Sequence, residues 1–129
     1  MFDMAMVRLA RQRILRAVWI GALAGTLLVW AFERAEVAGD SMAPTFHPGD
    51  RLLLVRRFRP LRPGDLVAFD DPRGNVGRIV KRVSSVTAAG VDVRGDNAGA
   101  STDSRDFGRI PVRSIEYLVL RRYAGGGPS

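Results

Sequence analysis

From Ala17 to Phe32 the chain reads AVWIGALAGTLLVWAF, sixteen residues without a charge. A protein carrying such a segment must bury it in a core or in a bilayer, and no polar stripe divides it as in a surface helix. Extended back to Ile14 it covers nineteen residues, and nineteen helical residues rise about 28 Å, close to the hydrocarbon thickness of a membrane. Arg16 lies near one end, where its long stem lets the guanidinium reach the headgroups. Trp19 and Trp30 lie toward the two ends, as an interfacial aromatic belt requires. Arg8, Arg11, Arg13 and Arg16 precede the centre of the run, and Glu33 and Glu36 follow it. The positive-inside rule then predicts a single-pass anchor in the cytoplasmic (inner) membrane, with the N-terminus inside and residues 33 to 129 on the outer face. A cleaved signal peptide is the rival, but the apolar run is long for one and no convincing A-x-A site follows Phe32.

Beyond the anchor, Gly and Pro punctuate short β-rich runs: 51–57, 65–70, 77–86, 91–94 and 115–122. Turn signals separate them at Pro48-Gly49-Asp50, Pro63-Gly64-Asp65, Asp71-Pro72-Arg73-Gly74 and Ala89-Gly90. The two Pro-Gly-Asp copies read as two similar turns. No second helix of useful length is visible. The expected fold is mainly β, a small barrel or sandwich preceded by one transmembrane helix. The expected division is 1–13 basic N-terminus, 14–32 helix, 33–123 β domain and 124–129 disordered Gly-rich tail.

Net charge is +7, which makes anionic lipid or nucleic acid the first partners to consider. Lipid is preferred, because much of the excess lies beside the apolar run. There is no cysteine, which excludes disulfides, Cys-ligated zinc and a thiol nucleophile. A single histidine, His47, removes His-pair metal motifs and leaves any Ser-His-Asp triad to one residue six positions after Ser41. No metal or cofactor is expected.

Three stretches carry the candidate chemistry. Lys81 is the only lysine among twenty Lys and Arg residues. Arginine stays charged at any working pH, whereas a buried lysine loses its proton and can then act as a base. In a strand Lys81 shares a face with Ile79 and Val83, an apolar setting that disfavours its ammonium. The plainer reading is an edge-strand lysine with its head in water, in a chain whose arginine bias left one lysine by chance. Ser41 lies in Gly39-Asp40-Ser41-Met42-Ala43-Pro44-Thr45. There Gly39 permits a sharp backbone path, Pro44 stiffens the exit and Met42 pins the loop to the core. Serine beside a neutral lysine is a nucleophile and general-base pairing, and backbone N–H groups on such a turn face a developing oxyanion. The third stretch, Gly95 to Gly108, is polar and glycine-rich. It offers a hydroxyl to orient the amine and an Asp103–Arg105 pair to brace it, against the alternative of a flexible surface loop. Its Asp spacing does not fit the EF-hand calcium pattern.

Taken in order, Gly39, Ser41-Met42, Pro44-Thr45, Gly49-Asp50, Arg62-Pro63-Gly64-Asp65-Leu66-Val67, Lys81-Arg82-Val83, Gly95-Asp96-Asn97, Ser101, Asp103-Ser104-Arg105 and Gly108 resemble the signal peptidase I family of membrane-bound Ser-Lys endopeptidases. The resemblance covers roughly residues 37 to 120 and the anchor. It implies a β-rich catalytic domain outside the membrane that cleaves N-terminal signal or leader peptides from precursor proteins. Ser41 would be the nucleophile and Lys81 the general base. Ser101 would hold the amine, with Asp103 and Arg105 as support. The oxyanion site would comprise the Ser41 backbone N–H and the Gly39 loop, and Met42 and Pro44 would lie near the substrate. Some members place a hydroxyl donor two residues before the nucleophile; Gly39 stands there, so that donor is absent. His47 matches no catalytic position and reads as a turn residue. The chain is short for the family and resembles its minimal members, among them short actinobacterial forms and proteases that mature a nickel-type superoxide dismutase precursor. The Ser101 to Arg105 run looks more like the general form, so the substrate stays open, as does the oligomeric state.

Two other classes compete. DNA-binding repressors with a self-cleaving domain share a similar nucleophile loop and strand lysine, but residues 1 to 36 are too short and apolar for a helix-turn-helix, and no nucleic-acid partner is expected. A catalytically silent, membrane-tethered assembly subunit is the second.

Overall fold

The computed structural model describes residues 4–75 and 77–126. It divides into two compact units, one ending at Ala31 and the other beginning at Phe32. The first is helix α1, Met4–Ala31. It begins ten residues before the expected Ile14, because the preceding Ala, Leu, Arg and Gln are strong helix formers. Within it Ala10–Ala31 is long and apolar enough to cross a membrane. Its apolar side chains, Trp19, Ile20, Leu23 and Val29 among them, are exposed.

The second unit is mainly β, as expected. It contains β1 (Phe32–Glu36), β2 (Arg51–Arg56), β3 (Leu66–Asp70), β4 (Arg78–Thr87), β5 (Gly90–Arg94) and β6 (Tyr117–Ala124), with a one-turn helix α2 (Ser104–Phe107) between β5 and β6. They form one sheet in the order β1-β2-β6-β3-β4-β5, antiparallel at every pairing. Successive residues of β3 divide between two cores, with Val67 and Phe69 in one and Leu66 and Ala68 against the other. Alternate strand residues face opposite sides of a sheet, so this sheet is covered by apolar packing on both faces.

The ends of this unit differ in detail from the expected division. Phe32 was expected to close the anchor, with the β domain beginning at residue 33. Instead Phe32 to Glu36 pair with β2, from Phe32 opposite Val55 to Glu36 opposite Arg51, which satisfies the backbone groups of an otherwise bare strand edge. Glu33 forms an ion pair with Arg78 of β4, although β2, β6 and β3 lie between the two strands. Four strand spacings amount to about 19 Å in a flat sheet, so the contact requires a strongly coiled one. At the other end, Ala124 closes β6 and the Gly126 N–H donates to the Asp50 carboxylate at 3.0 Å. Those positions had been assigned to a disordered tail; residues 127–129 lie outside the described residues.

The two Pro-Gly-Asp segments adopt one geometry. In each, the Asp N–H donates to the carbonyl three residues back, His47 at 3.0 Å and Arg62 at 3.1 Å. In each, the Asp carboxylate accepts the N–H of that same residue, at 2.9 and 2.8 Å. Gly49 and Gly64 take φ of 86° and 92°, the third-position conformation of a type II turn that glycine favours. An arginine completes each, Arg122 on Asp50 and Arg59 on Asp65.

The two-faced core gives a direct test. Ile115 is fully buried and Leu120 is 53% exposed. Ile115→Ala should lower unfolding free energy by about 2–5 kcal/mol, and Leu120→Ala by less than about 0.5 kcal/mol. Denaturant titration in detergent reads both, and equal losses would contradict the assigned core.

Candidate active site

Residues 37–50 form a loop closed at its base, where the Val37 N–H donates to Asp50 O at 2.9 Å and the Gly49 N–H to Val37 O at 2.7 Å. Within it the Phe46 N–H returns to Met42 O at 2.9 Å. Met42 and Phe46 are buried against Leu52, Leu54, Ala68 and Tyr117. The apolar side chain after Ser41 therefore fixes the loop, and Ser41 is left half-exposed on the wall of a small cleft. Gly39, Met42, Ile79, Val80 and Lys81 share that cleft with it. Among the described residues neither the Ser41 hydroxyl nor its backbone N–H has a hydrogen-bond partner.

Lys81 lies in β4 opposite Val67. It is 4% exposed, and its strand neighbours Ile79 and Val83 pack into the core. Burial pushes its pKa below the ordinary lysine value, because a low-dielectric setting disfavours the ammonium. Asp103 opposes that shift, Arg73 and Arg105 reinforce it, and Asp71 opposes it more weakly. The amine donates to Ser101 Oγ at 3.0 Å, and the Ser101 hydroxyl donates to Asp103 Oδ2 at 2.9 Å. A hydroxyl has one proton to give. With that proton committed to Asp103, Ser101 must accept from Lys81. The lone pair of a neutral Lys81 is thereby left free.

Asp103 is fully buried and caps α2, accepting the Arg105 N–H at 3.1 Å while its own N–H donates to Asp106 at 3.0 Å. The Arg105 side chain grips it twice, at 2.9 and 2.7 Å, and the Gly95 N–H adds a bond at 2.9 Å. The guanidinium and these N–H groups hold its carboxyl well below the usual range, against the opposing effect of burial. Asp103 is therefore a fixed anion whose oxygens are occupied, and it orients Ser101 without taking the proton of Lys81.

The Gly95-Asp96-Asn97 turn ties the two halves of the site together. Asn97 donates its backbone N–H to Ser41 O at 2.9 Å and its side-chain amide to Asp40 O at 3.1 Å. Asp96 takes two bonds from Arg82, both at 2.9 Å, and one from the Thr45 hydroxyl at 2.6 Å. Arg82 follows Lys81 in sequence and Thr45 lies on the serine loop, so one carboxylate links both. Neither Arg82 nor Thr45 had been given a role by the sequence. A side chain at Gly95 would place Cβ 2.6 Å from Ser41 O and closer still to the Ser101 hydroxyl, so only glycine fits.

The structure thus brings Ser41, Lys81, Gly39 and Met42 to one cleft, and connects Ser101, Asp103 and Arg105 to Lys81 through hydrogen bonds. Pro44 is exposed and is not among the residues lining the cleft; the peptide bond before it is cis. Gly39 has no positive φ, and a Cβ there would meet nothing within 4 Å. The expected need for glycine at that position is not present. His47 opens the first type II turn. The Gly95–Gly108 stretch is a hydrogen-bonded brace, fastened to β5 where the Val93 N–H donates to Ser104 Oγ at 2.8 Å.

A β domain carrying these motifs behind an apolar helix is that of the signal peptidase family, peptidase S26, to which this chain belongs: the family's model matches residues 10–97. The match takes in the serine loop, the lysine strand and the Gly-Asp-Asn turn. The chain is 33% identical to mitochondrial ATP-independent inner membrane protease subunit 1a of Arabidopsis thaliana, over 72% of this chain and 71% of that protein. It is 32% identical to subunit 1b of the same plant, over 65% of each. With mitochondrial inner membrane protease subunit 1 of Schizosaccharomyces pombe it shares 24% identity, over 81% of this chain and 82% of that one.

Gly95→Ala tests the joint. It should displace Ser101 and the Ser41 carbonyl together and lower precursor cleavage at least about tenfold, or about 1.4 kcal/mol in the barrier. Gly39→Ala, made in open space, should fold normally. Equal behaviour of Gly95→Ala and wild type in a cleavage assay would show that the contact does not matter.

Proposed function

We propose that the chain is a membrane-anchored serine endopeptidase that removes N-terminal leaders from precursor proteins, with Ser41 as nucleophile and Lys81 as general base. The observation that carries this reading is the buried lysine, lowered in pKa and held by Ser101 on the same cleft as an unpartnered serine. Neutral Lys81 takes the Ser41 proton as Oγ bonds to the scissile carbonyl carbon. The developing oxyanion meets the Ser41 N–H. The ammonium then returns its proton to the leaving amine as the C–N bond breaks. Water next attacks the acyl ester, with Lys81 again as base, and Ser41 is released. No side chain stands at position 39 to add a second oxyanion donor.

Family membership supports the peptidase chemistry, and the relatives' names support a site at an inner membrane. The arginines before the apolar run support an N-in, C-out orientation. A reporter fused after Ser129 should be active only on the outer side of the membrane; activity in the cytoplasm would reverse the orientation.

Ser41→Ala and Lys81→Arg should each reduce cleavage of a leader-bearing precursor by about ten-thousandfold or more. A guanidinium remains protonated, so Lys81→Arg keeps the charge and removes the base. Lys81 is neutral above its lowered pKa, so kcat/KM should rise with pH through a value below the ordinary lysine range and then level off. Wild-type turnover by Lys81→Arg would remove the Ser-Lys mechanism. Full turnover by Ser41→Ala in equally stable protein would favour a different nucleophile.

A further inference from the structure

Among the described residues, three ionisable side chains line the cleft that holds Ser41: Glu36, Arg78 and Lys81. Asp40, beside Ser41 in sequence, is not one of them. Arg78 is already occupied. It forms an ion pair with Glu33, lies 3.7 Å from Asp70 and sits over the Tyr117 ring, 4.4 Å from its centroid. Lys81 is buried and bonded to Ser101. Glu36 differs from both. It is exposed, and among the described residues its carboxylate has neither a hydrogen bond nor an ion pair. Arg51 stands opposite it on β2 without pairing with it. In a chain of net charge +7, an unopposed carboxylate on the cleft wall is a distinct local field.

The backbone holds this carboxylate in place. Ala35 and Val37, on either side of it, pack into the cluster beneath the serine loop, so Glu36 faces outward. The Val37 N–H is fixed to Asp50 O, and Glu36 is in register with Arg51. Strand β1 pairs with β2 alone, and β4 meets β5 only from Arg82 onward. Glu36 and residues 78–81 thus each have a strand on one side only, and an extended peptide in the cleft can take up the other. The cleft is small, about 100 Å³. It admits only a short stretch of such a peptide, and Glu36 meets a side chain close to the bond that Ser41 faces.

We propose that Glu36 is a specificity-determining residue, whose carboxylate favours precursors with a lysine or arginine close to the scissile bond and disfavours those with an acidic residue there. An opposite charge on the precursor adds attraction, and a like charge adds repulsion. The inference deepens the peptidase reading and rests on it for cleavage, but not for binding.

The test is a ratio taken within each enzyme form, which cancels any loss of turnover common to all substrates. One leader-bearing precursor carries Lys, Gln or Glu in turn at each position within about three residues of the scissile bond. At one or more positions wild-type kcat/KM should be about threefold higher for Lys than for Gln, as for a partly exposed ion pair, and lower again for Glu. Glu36→Gln should bring the three substrates together, and Glu36→Lys should reverse their order. Glu116→Gln, which removes a partly exposed carboxylate outside the cleft, should leave the wild-type order in place. Added salt should shrink the wild-type preference. Peptides of the same three sequences, binding to Ser41→Ala protein and followed by fluorescence anisotropy, should show the same order. That order should vanish in the double variant Ser41→Ala, Glu36→Gln. A Lys preference that persists without Glu36, or none in the wild type, overturns the proposal. A preference for Glu also overturns it and gives the choice to Arg78. Peptides that bind in the expected order but are not cleaved by the wild type support the role of Glu36 and count instead against the peptidase reading.

Discussion

The constraint on which the site depends is the cost of placing an amine inside a sheet. An unpaired ammonium is expensive in a low-dielectric interior, and a fully paired one would stay charged. Lys81 sits between these limits. Its partner is a hydroxyl, which accepts a hydrogen bond from either protonation state without the attraction of a carboxylate in contact. The carboxylate is one step removed, at Asp103, and is itself saturated by Arg105 and the Gly95 N–H. Charge is thus kept near enough to orient the amine, while burial still lowers its pKa.

Geometry is maintained by backbone as much as by side chains. The serine loop, the lysine strand and the capped turn come from separate parts of the chain. They meet at Gly95-Asp96-Asn97, where a glycine without a Cβ, a carboxylate shared by Arg82 and Thr45, and an amide bound to Asp40 fix three distances at once. Met42 and Phe46 fix the loop from beneath by apolar burial. Ser41 therefore sits on an exposed loop with little freedom to stray.

Much of this was legible in the sequence. Charge-free length gave the helix. Gly and Pro punctuation gave β2 to β6, and the single lysine pointed to a special position. Strand β1 was not legible, because FERAE places Glu33 and Ala35 inward and offers no apolar alternation. Its inward carboxylate is matched by Arg78 and Tyr117, which lie far along the chain. Gly125 and Gly126 looked like an unstructured end because composition cannot show that a distant buried Asp50 requires an N–H. Gly39 was read as a backbone necessity, while the crowded glycine is Gly95, and only the fold reveals which neighbours crowd it.

Asp50 carries a consequence for how the molecule comes into being. Its carbonyl and its turn close the base of the serine loop, yet its carboxylate is completed by Arg122 and by the N–H of Gly126, near the other end of the chain. The strand beside it, β2, likewise waits for β6. Such long-range pairings form late, since loop closure must precede them. A chain still being made therefore cannot complete the base of this loop until Arg122 and Gly126 have been added. Until then the molecule lacks the fixed loop on which the candidate site is built.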